Sequence, residues 1–326
     1  MTLRIGIIGT GWFSKVHAGL LQQMEGVKVQ SILGTSQEKA DRMAADYAAK
    51  GYDQLTDMLD AEQLDAVYIC VPPMSHGEIE LALIERNIPF LVEKPLATDL
   101  ALPQKIEAAI QEKGLLTSVG YHFRYQETVD QLRQDLAGHT IGIANGAWNG
   151  GMPGVAWWRR QEGSGGQFIE QTTHIVDLLR YVAGEVVEVQ AMYANRSLHE
   201  LHEGVSVPDV GTVNLRLESG AVANISNTCI LPNGVPGSSG LTFYSFRGVW
   251  DWNPERLQIA QPEPAGMTIT ENKSNAYLLE NEAFIHALRT GDRSRIRSDY
   301  SDAVRTQAVT VAALKSAQSG ERVSLL

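Results

Sequence analysis

Three residues of this chain are suited to moving a proton: Lys94, Glu170 and His174. Lys94 directly follows the apolar run Phe90-Leu91-Val92, so it leaves the end of a strand rather than a solvated loop. A lysine partly withdrawn from water holds its charge less firmly and can donate to, or exchange a proton with, a hydroxyl group. Glu170 and His174 are four apart, which on a helix places them on one face. The preceding Gly163-Ser164-Gly165-Gly166 lets a helix begin close to a ligand. Imidazole, with an unperturbed pKa of about 6.5, is suited to take the proton of an alcohol as hydride departs. A carboxylate beside it can orient the ring or bind a hydroxyl. The spacing predicts one helix over 170–182 that carries both, with Asp177 packing on the same helix.

A second group of residues would bind through its backbone. Gly9-Thr10-Gly11-Trp12-Phe13-Ser14 follows the apolar strand Leu3–Ile8 and opens a helix expected over 12–24. In a Gly-x-Gly-x-x-Gly loop the first glycine makes the tight turn and the second admits backbone to a pyrophosphate. The third lets helix pack on strand; here the small Ser14 takes its place. The expected dinucleotide contacts are Gly9, Thr10, Gly11, Trp12, Phe13 and Ser14, with Val71, Pro72 and His76 after the third strand and Glu93 and Lys94 after the fourth. The second strand ends in Ile32-Leu33-Gly34-Thr35-Ser36, without the carboxylate that would hydrogen-bond an adenosine ribose. Thr35, Ser36 and Lys39 offer room, hydrogen bonds and positive charge, which predicts NADP over NAD; Glu38 is the residue that would serve NAD instead.

The elements that must hold these residues alternate regularly at first. Strands are expected at 27–33, 66–71, 90–92 and 116–119, and helices at 37–50, 75–86 and 102–113, with Ser75 and Glu78 capping the second of these. This pattern gives an α/β, doubly wound parallel sheet of the Rossmann kind. After about Gly120 short strands crowd together at 141–148, 186–193, 210–217, 221–227, 241–246 and 249–252, with hairpin signals at Ser219-Gly220 and Arg247-Gly248. They predict an open antiparallel sheet in an α+β domain, closed by helices at 276–288 and 302–317. The expected division is a dinucleotide-binding domain over 1–122 and a substrate-binding and oligomerisation domain over 123–326. Residues 231–240 are expected to form a loop.

The Gly9 loop, Val71-Pro72-Pro73 with His76, Glu93-Lys94-Pro95, and Gly165-Gly166 followed by Glu170 and His174 together resemble the Gfo/Idh/MocA oxidoreductase family, the relatives of glucose–fructose oxidoreductase and inositol dehydrogenase. The similarity extends to Leu288-Arg289-Thr290-Gly291 and Ser319-Gly320-Glu321-Arg322-Val323. It implies hydride transfer between NAD(P) and a carbinol or carbonyl of a sugar, cyclitol or related polyol. It implies a lysine–acid–histidine trio at Lys94, Glu170 and His174, a Lys94–Pro95 peptide of the kind often cis in relatives, and a homodimer or homotetramer. The family more often has Asp where this chain has Glu170.

Tyr121, Arg124, Trp157 and Arg159 join Lys94, Glu170 and His174 as expected substrate contacts, the aromatic faces for stacking and the guanidinium groups for hydroxyls or carboxylates. With 326 residues and a net charge of -11, the chain is sized for two cores and carries the wrong sign for nucleic acid or an acidic membrane. Cys70 and Cys229 fit neither a disulfide framework nor a metal spacing, so neither metal nor disulfide is expected. His17 is read as supporting the first helix, and His199 and His202 as exposed. Strand-sized apolar runs and the lack of a signal-like start make the cytoplasm the expected compartment. Two other readings share the fold: a glycosidase that uses NAD in a transient redox cycle, and a non-catalytic cofactor-binding regulator. Intact Lys94 and His174 argue against the last, since a sensor needs neither.

Overall fold

The computed structural model describes residues 2–262 and 266–325. The chain gathers into two compact units. The first takes residues up to Ala97, Ala101–Tyr121 and Tyr277–Val304; the second takes Thr98–Leu100, His122–Ala276 and the chain from Arg305 on.

The first unit runs β1 (Leu3–Ile8), α1 (Trp12–Gln22), β2 (Val27–Leu33), α2 (Gln37–Asp46), β3 (Lys50–Tyr52), α3 (Leu55–Ala61), β4 (Ala66–Ile69), α4 (Glu78–Glu85), β5 (Phe90–Val92), α5 (Ala101–Lys113) and β6 (Thr117–Val119). The six strands form one parallel sheet in the order β3-β2-β1-β4-β5-β6. The strand order reverses between β1 and β4, where α/β sheets bind ligands beyond their carboxyl ends. The near-continuous apolar runs are buried on both faces, as a helix-covered parallel sheet demands: Ile5, Ile7, Tyr68 and Leu91 have no accessible surface.

Two expectations change here. The helix expected over 37–50 ends at Asp46, because Ala48 turns left-handed (φ 51°) and leads into β3, an edge strand too short and polar to be legible. The helix expected over 75–86 begins at Glu78, not Ser75. Its start is held by Glu80, whose carboxylate accepts from the Gly77 N–H at 2.6 Å, so the capping acid is Glu80 and not Glu78.

The second unit continues with α6 (Glu127–Leu136), β7 (Ile143–Asn149), α7 (Gln161–Ser164), α8 (Gln167–Glu170), α9 (Thr173–Ala183), β8 (Val186–Ala194), α10 (Leu198–Leu201), β9 (Val210–Leu217), β10 (Val222–Thr228), β11 (Ser238–Ser245), β12 (Gly248–Asn253), β13 (Arg256–Gln261) and β14 (Gly266–Glu271). The chain ends with α11 (Ala276–Thr290), α12 (Tyr300–Ser319) and β15 (Val323–Ser324). Nine strands pair in the order β14-β13-β12-β11-β7-β10-β9-β8-β15. The sheet is mixed rather than purely antiparallel: β7 and β10 run parallel, because the meander β8-β9-β10 brings its last strand back beside β7. Strands β13 and β14 were not expected from the sequence, although Leu257 and Ile259 alternate with polar residues in β13 and Met267 and Ile269 do so in β14.

Alternation along these strands sends Val213 and Leu215, Ala223 and Ile225, Leu241 and Phe243, and Trp250 and Trp252 into one core with α9. The opposite face carries Thr212, Asn214 and Asn224, and Asn224 Nδ2 donates to Asn214 Oδ1 at 2.8 Å. From Tyr277 onward α11 belongs to the first unit, where Phe284 and Ile285 pack with Ile5 and Tyr68. That unit therefore draws on residues well beyond 122. Among the described residues, no helix is long and apolar enough to cross a membrane.

Glu127, in the first turn of α6, holds the chain ahead of α11. Its carboxylate accepts from the backbone N–H of Lys273 at 2.5 Å, from that of Ser274 at 3.2 Å, and from the Ser274 hydroxyl. Burial pushes the carboxyl up, but these donors outweigh it and hold the pKa at about 2, below the ordinary 4.5. A depressed carboxylate stabilises the fold above its unfolded pKa and loses that contribution as pH falls toward the folded value. Glu127→Gln should therefore unfold at lower temperature than the parent at pH 7, and the gap should close as pH falls below about 4.5. Thermal melts across pH 7 to 3 check this; a gap independent of pH would refute it.

Candidate active site

The turn after β1 is built to receive an anion. Gly9 has φ +114°, and a Cβ there would fall 2.2 Å from the Cys70 carbonyl oxygen at the end of β4. Only glycine fits so close an approach. Ser14 is fully buried on α1, with Oγ 2.9 Å from that same Cβ position, so the small third residue does pack in the place of a glycine. Gly11 caps α1 without a side-chain hydrogen bond, the first turn holds no acidic residue, and among the described residues nothing lies within 4 Å of a Cβ built on Gly11. Backbone N–H groups at such a helix start attract negative charge. These residues fit a dinucleotide pyrophosphate.

Beyond β2, Gly34 is buried and Ser36 caps α2, its Oγ accepting from Lys39 N at 3.4 Å. The exposed Lys39 Nζ donates to Thr35 Oγ1 at 3.0 Å. Glu38 turns away to Arg42, one helical turn on, at 2.7 Å.

Lys94 is 8% exposed, immediately after β5, and the Lys94–Pro95 peptide is cis. Glu93 points the other way, into the core: His17 Nε2 donates to Glu93 Oε1 at 3.0 Å. His76 is likewise turned inward, its Nδ1 donating to the buried Glu80 at 2.5 Å. Glu93 thus turns its side chain away from a cofactor, His76 keeps a buried Nε2 without a hydrogen-bond partner among the described residues, and Val71 and Pro72 are half-exposed where β4 ends.

In the second unit the predicted helix over 170–182 is two helices. Gly165 and Gly166 have φ of 74° and 90°, and α8 makes a single turn after them. The Gln167 carbonyl then accepts from both Gln171 (2.9 Å) and Thr172 (3.0 Å). That extra residue breaks the helical phase before α9 starts at Thr173. Glu170 and His174 therefore do not share one continuous face. Glu170 Oε2 accepts from the indole N–H of buried Trp158 at 2.6 Å. His174, 5% exposed, stacks on Trp148 (5.8 Å between ring centres, 21° between planes) and meets His122 and Phe123 at 5.0 and 5.1 Å. The sheet makes room for it. A Cβ on Gly146 would fall 2.7 Å from Ile175 Cγ2, so the missing side chain lets α9 settle on β7, with Trp148 two residues along the same face.

Comparison with known proteins decides the family. The model of the oxidoreductase family with an NAD-binding Rossmann fold matches residues 3–121, and the GFO/IDH/MocA C-terminal domain matches residues 135–244. This chain belongs to the Gfo/Idh/MocA family. It is an NAD(P)-dependent oxidoreductase. It is similar to a 4-carboxy-2-hydroxymuconate-6-semialdehyde dehydrogenase of a Sphingobium species (25% identical; 89% of this chain, 91% of the relative). It is also similar to myo-inositol 2-dehydrogenase of Thermotoga maritima (26%; 69% and 68%). Among solved structures, the WlbA dehydrogenase of Bordetella pertussis, in complex with NADH and UDP-GlcNAcA, shares the fold at a TM-score of 0.86 (23%; 100% and 99%).

The other residues expected in this Gfo/Idh/MocA site divide. Arg124 is 2% exposed and forms a two-pronged pair with Asp177, Nε to Oδ2 at 2.7 Å and a terminal nitrogen to Oδ1 at 2.6 Å. Thr306 Oγ1 adds a bond to Asp177 at 2.9 Å, and the guanidinium lies over Tyr181. Arg124 thus serves the core rather than a substrate. Tyr121 is 1% exposed. Trp157 packs beside a small cluster of Trp158, Leu198, Val207 and Cys229. Arg159 keeps its candidacy: its Nε is buried with no hydrogen-bond partner among the described residues. His17, Glu93 and Glu280 bring ligand atoms within 4.8 Å of one another, a cluster absent from the sequence reading. Both ring nitrogens of His17 face protein groups, Glu93 and Asn281, which favours a hydrogen-bonded network over a metal site. Neither His17 nor Trp148 could be assigned from local sequence, because their partners lie far along the chain.

Breaking the Arg124–Asp177 pair leaves an uncompensated buried charge. Asp177→Leu should cost about 3–5 kcal/mol of unfolding free energy, by denaturant titration. It should leave nicotinamide-cofactor affinity within about threefold of the parent, since ΔΔG values at separate sites add. A loss below about 1 kcal/mol, the range of exposed pairs, would contradict the structural role.

Proposed function

We propose that this oxidoreductase transfers hydride between NADP, preferred over NAD, and a carbinol or carbonyl of a sugar, cyclitol or related polyol. The observation that carries the reading is the buried Lys94 at the end of β5, in the same unit as the anion-receiving turn at Gly9–Ser14. The bound nicotinamide supplies the hydride acceptor or donor. The Lys94 ammonium hydrogen-bonds the reacting oxygen and favours its negative form. His174 accepts the hydroxyl proton on oxidation and returns it on reduction. Trp148 and Phe123 fix the plane of that ring. Glu170, tethered by Trp158, binds a substrate hydroxyl, while Arg159 and Trp157 contribute a cation and an apolar face. The relative named for inositol supports this substrate range, whereas the one named for a carboxylated semialdehyde supports the reaction class alone.

The cofactor preference rests on the second strand's end. Glu38 is committed to Arg42, and Thr35, Ser36 and Lys39 gather hydroxyls and a positive charge at the start of α2. Assembly into a homodimer or homotetramer through the open face of the nine-stranded sheet is consistent with Val222, Ile143 and Tyr244, exposed neighbours on three adjacent strands.

Lys94→Ala and His174→Ala should each lower turnover of a polyol substrate by at least about 100-fold, the range of lost acid–base catalysis. Near-parental turnover would remove that residue from the chemistry. Titration with NADPH and with NADH, followed by nicotinamide fluorescence, should give at least about tenfold tighter NADPH binding, equivalent to about 1.4 kcal/mol. Tighter NADH binding would reverse the preference and leave the reaction class intact.

A further inference from the structure

His17 lies on α1, one turn beyond the dinucleotide loop, and has no part in the function proposed above. Its side chain has no accessible surface, yet it touches three separated segments. Nε2 donates to Glu93 Oε1 at 3.0 Å, and Nδ1 meets the Asn281 side-chain amide of α11 at 3.1 Å. The ring packs against Tyr68 of β4, 5.2 Å between centres. Asn281 is itself fixed, its Nδ2 donating to the Tyr277 carbonyl at 2.6 Å.

Glu93 passes this restraint to its neighbour. Its other carboxylate oxygen, Oε2, accepts from the main-chain N–H of Lys94 at 3.3 Å. Gly120 closes the remaining side: a Cβ there would fall 2.7–2.8 Å from the carboxylate carbon and both oxygens. The carboxylate is thus clamped between an imidazole, a bare backbone wall and the lysine's own amide. Removing the imidazole donor would leave a buried carboxylate short of a partner, a state that favours turning away or admitting water.

We propose that His17 is a positioning residue for Lys94: through Glu93 it ties the helix that begins at the anion-receiving turn to the lysine's main chain, so that the two are held in one register. The proposal rests on the reading that Lys94 faces the substrate, but its test needs no substrate. Glutamine can present an N–H near the Nε2 position, so His17→Gln is the conservative variant and His17→Leu the disruptive one.

The experiment labels the full-length protein with acetic anhydride and follows acylation of Lys94 by peptide mass spectrometry, with exposed Lys28 as internal control. Thermal melts and NADPH titration accompany it. In His17→Leu, Lys94 acylation relative to Lys28 should rise at least about fivefold, as local opening of a clamped segment does. NADPH affinity should stay within about threefold, and His17→Gln should return labelling to near the parent value. Lys94 labelling within about twofold of the parent in a folded His17→Leu protein would overturn the proposal. So would a general loss in which NADPH affinity falls in step and His17→Gln fares no better than His17→Leu. If His17→Leu does not fold, Glu93→Gln is read by the same criterion, since it keeps the size and an acceptor but weakens the tie to His17. The expected labelling in a protein that turns over no polyol would support the positioning role and count against the functional reading alone.

Discussion

The first unit depends on how closely two backbones can approach at one point. The turn after β1 and the end of β4 meet where Gly9 would need to carry a Cβ 2.2 Å from the Cys70 carbonyl oxygen. That approach is possible only for glycine, and it sets where α1 begins. Once α1 starts there, its uncapped N–H groups face outward at the topological switch of the sheet. Its next turn carries His17 inward to Glu93. The anion-receiving turn and the restraint on Glu93 beside Lys94 therefore follow from one packing decision, made between strands that are neighbours in the sheet but some sixty residues apart in sequence.

A comparable absence of side chain organises the second unit. Gly146 gives up a Cβ in the middle of β7, and Ile175 occupies the space. Lowering α9 onto the sheet by that amount brings His174 over Trp148 with nearly parallel rings. The buried Arg124–Asp177 pair holds the same helix one turn further on, and its two short hydrogen bonds fix α9 against the segment that carries His122 and Phe123. In the proposed reaction a fixed ring plane gives His174 a defined direction along which to accept a proton.

What could be read from sequence, and what could not, follows from the range of the interactions involved. The glycine loop, the strand ahead of Lys94 and the parallel sheet were legible because each is specified within a few residues by apolar runs and turn chemistry. Strand Val210–Leu217 was legible to the residue, since its alternation is clean. The break between α8 and α9 was not. Four-residue spacing between Glu170 and His174 suits a single helix face, and only the double acceptance at the Gln167 carbonyl shifts the phase. The inward turn of Glu93 and of His76, and the loss of Arg124 to Asp177, were hidden for the same reason: each partner is set by tertiary packing rather than by spacing. Strands β13 and β14 carry only two alternating apolar residues each, Leu257 and Ile259, and Met267 and Ile269, too few to stand out in the sequence.

The length of Glu170 has a physical use in this arrangement. Ending α8 at Glu170 points it away from the axis of α9, so the acid cannot rely on a shared helix face to stay near His174. Its longer side chain reaches the Trp158 indole N–H at 2.6 Å, and Trp158 is 1% exposed and anchored in turn by the Ser164 hydroxyl on its carbonyl at 2.8 Å. A shorter acid would give up that tether or draw Trp158 out of its cluster with Leu198, Val207 and Cys229. The carboxylate is therefore held by a large buried neighbour instead of by helical periodicity. Holding it this way restricts its rotamers before any ligand arrives, which would lower the ordering cost of the hydrogen bond proposed between Glu170 and a substrate hydroxyl.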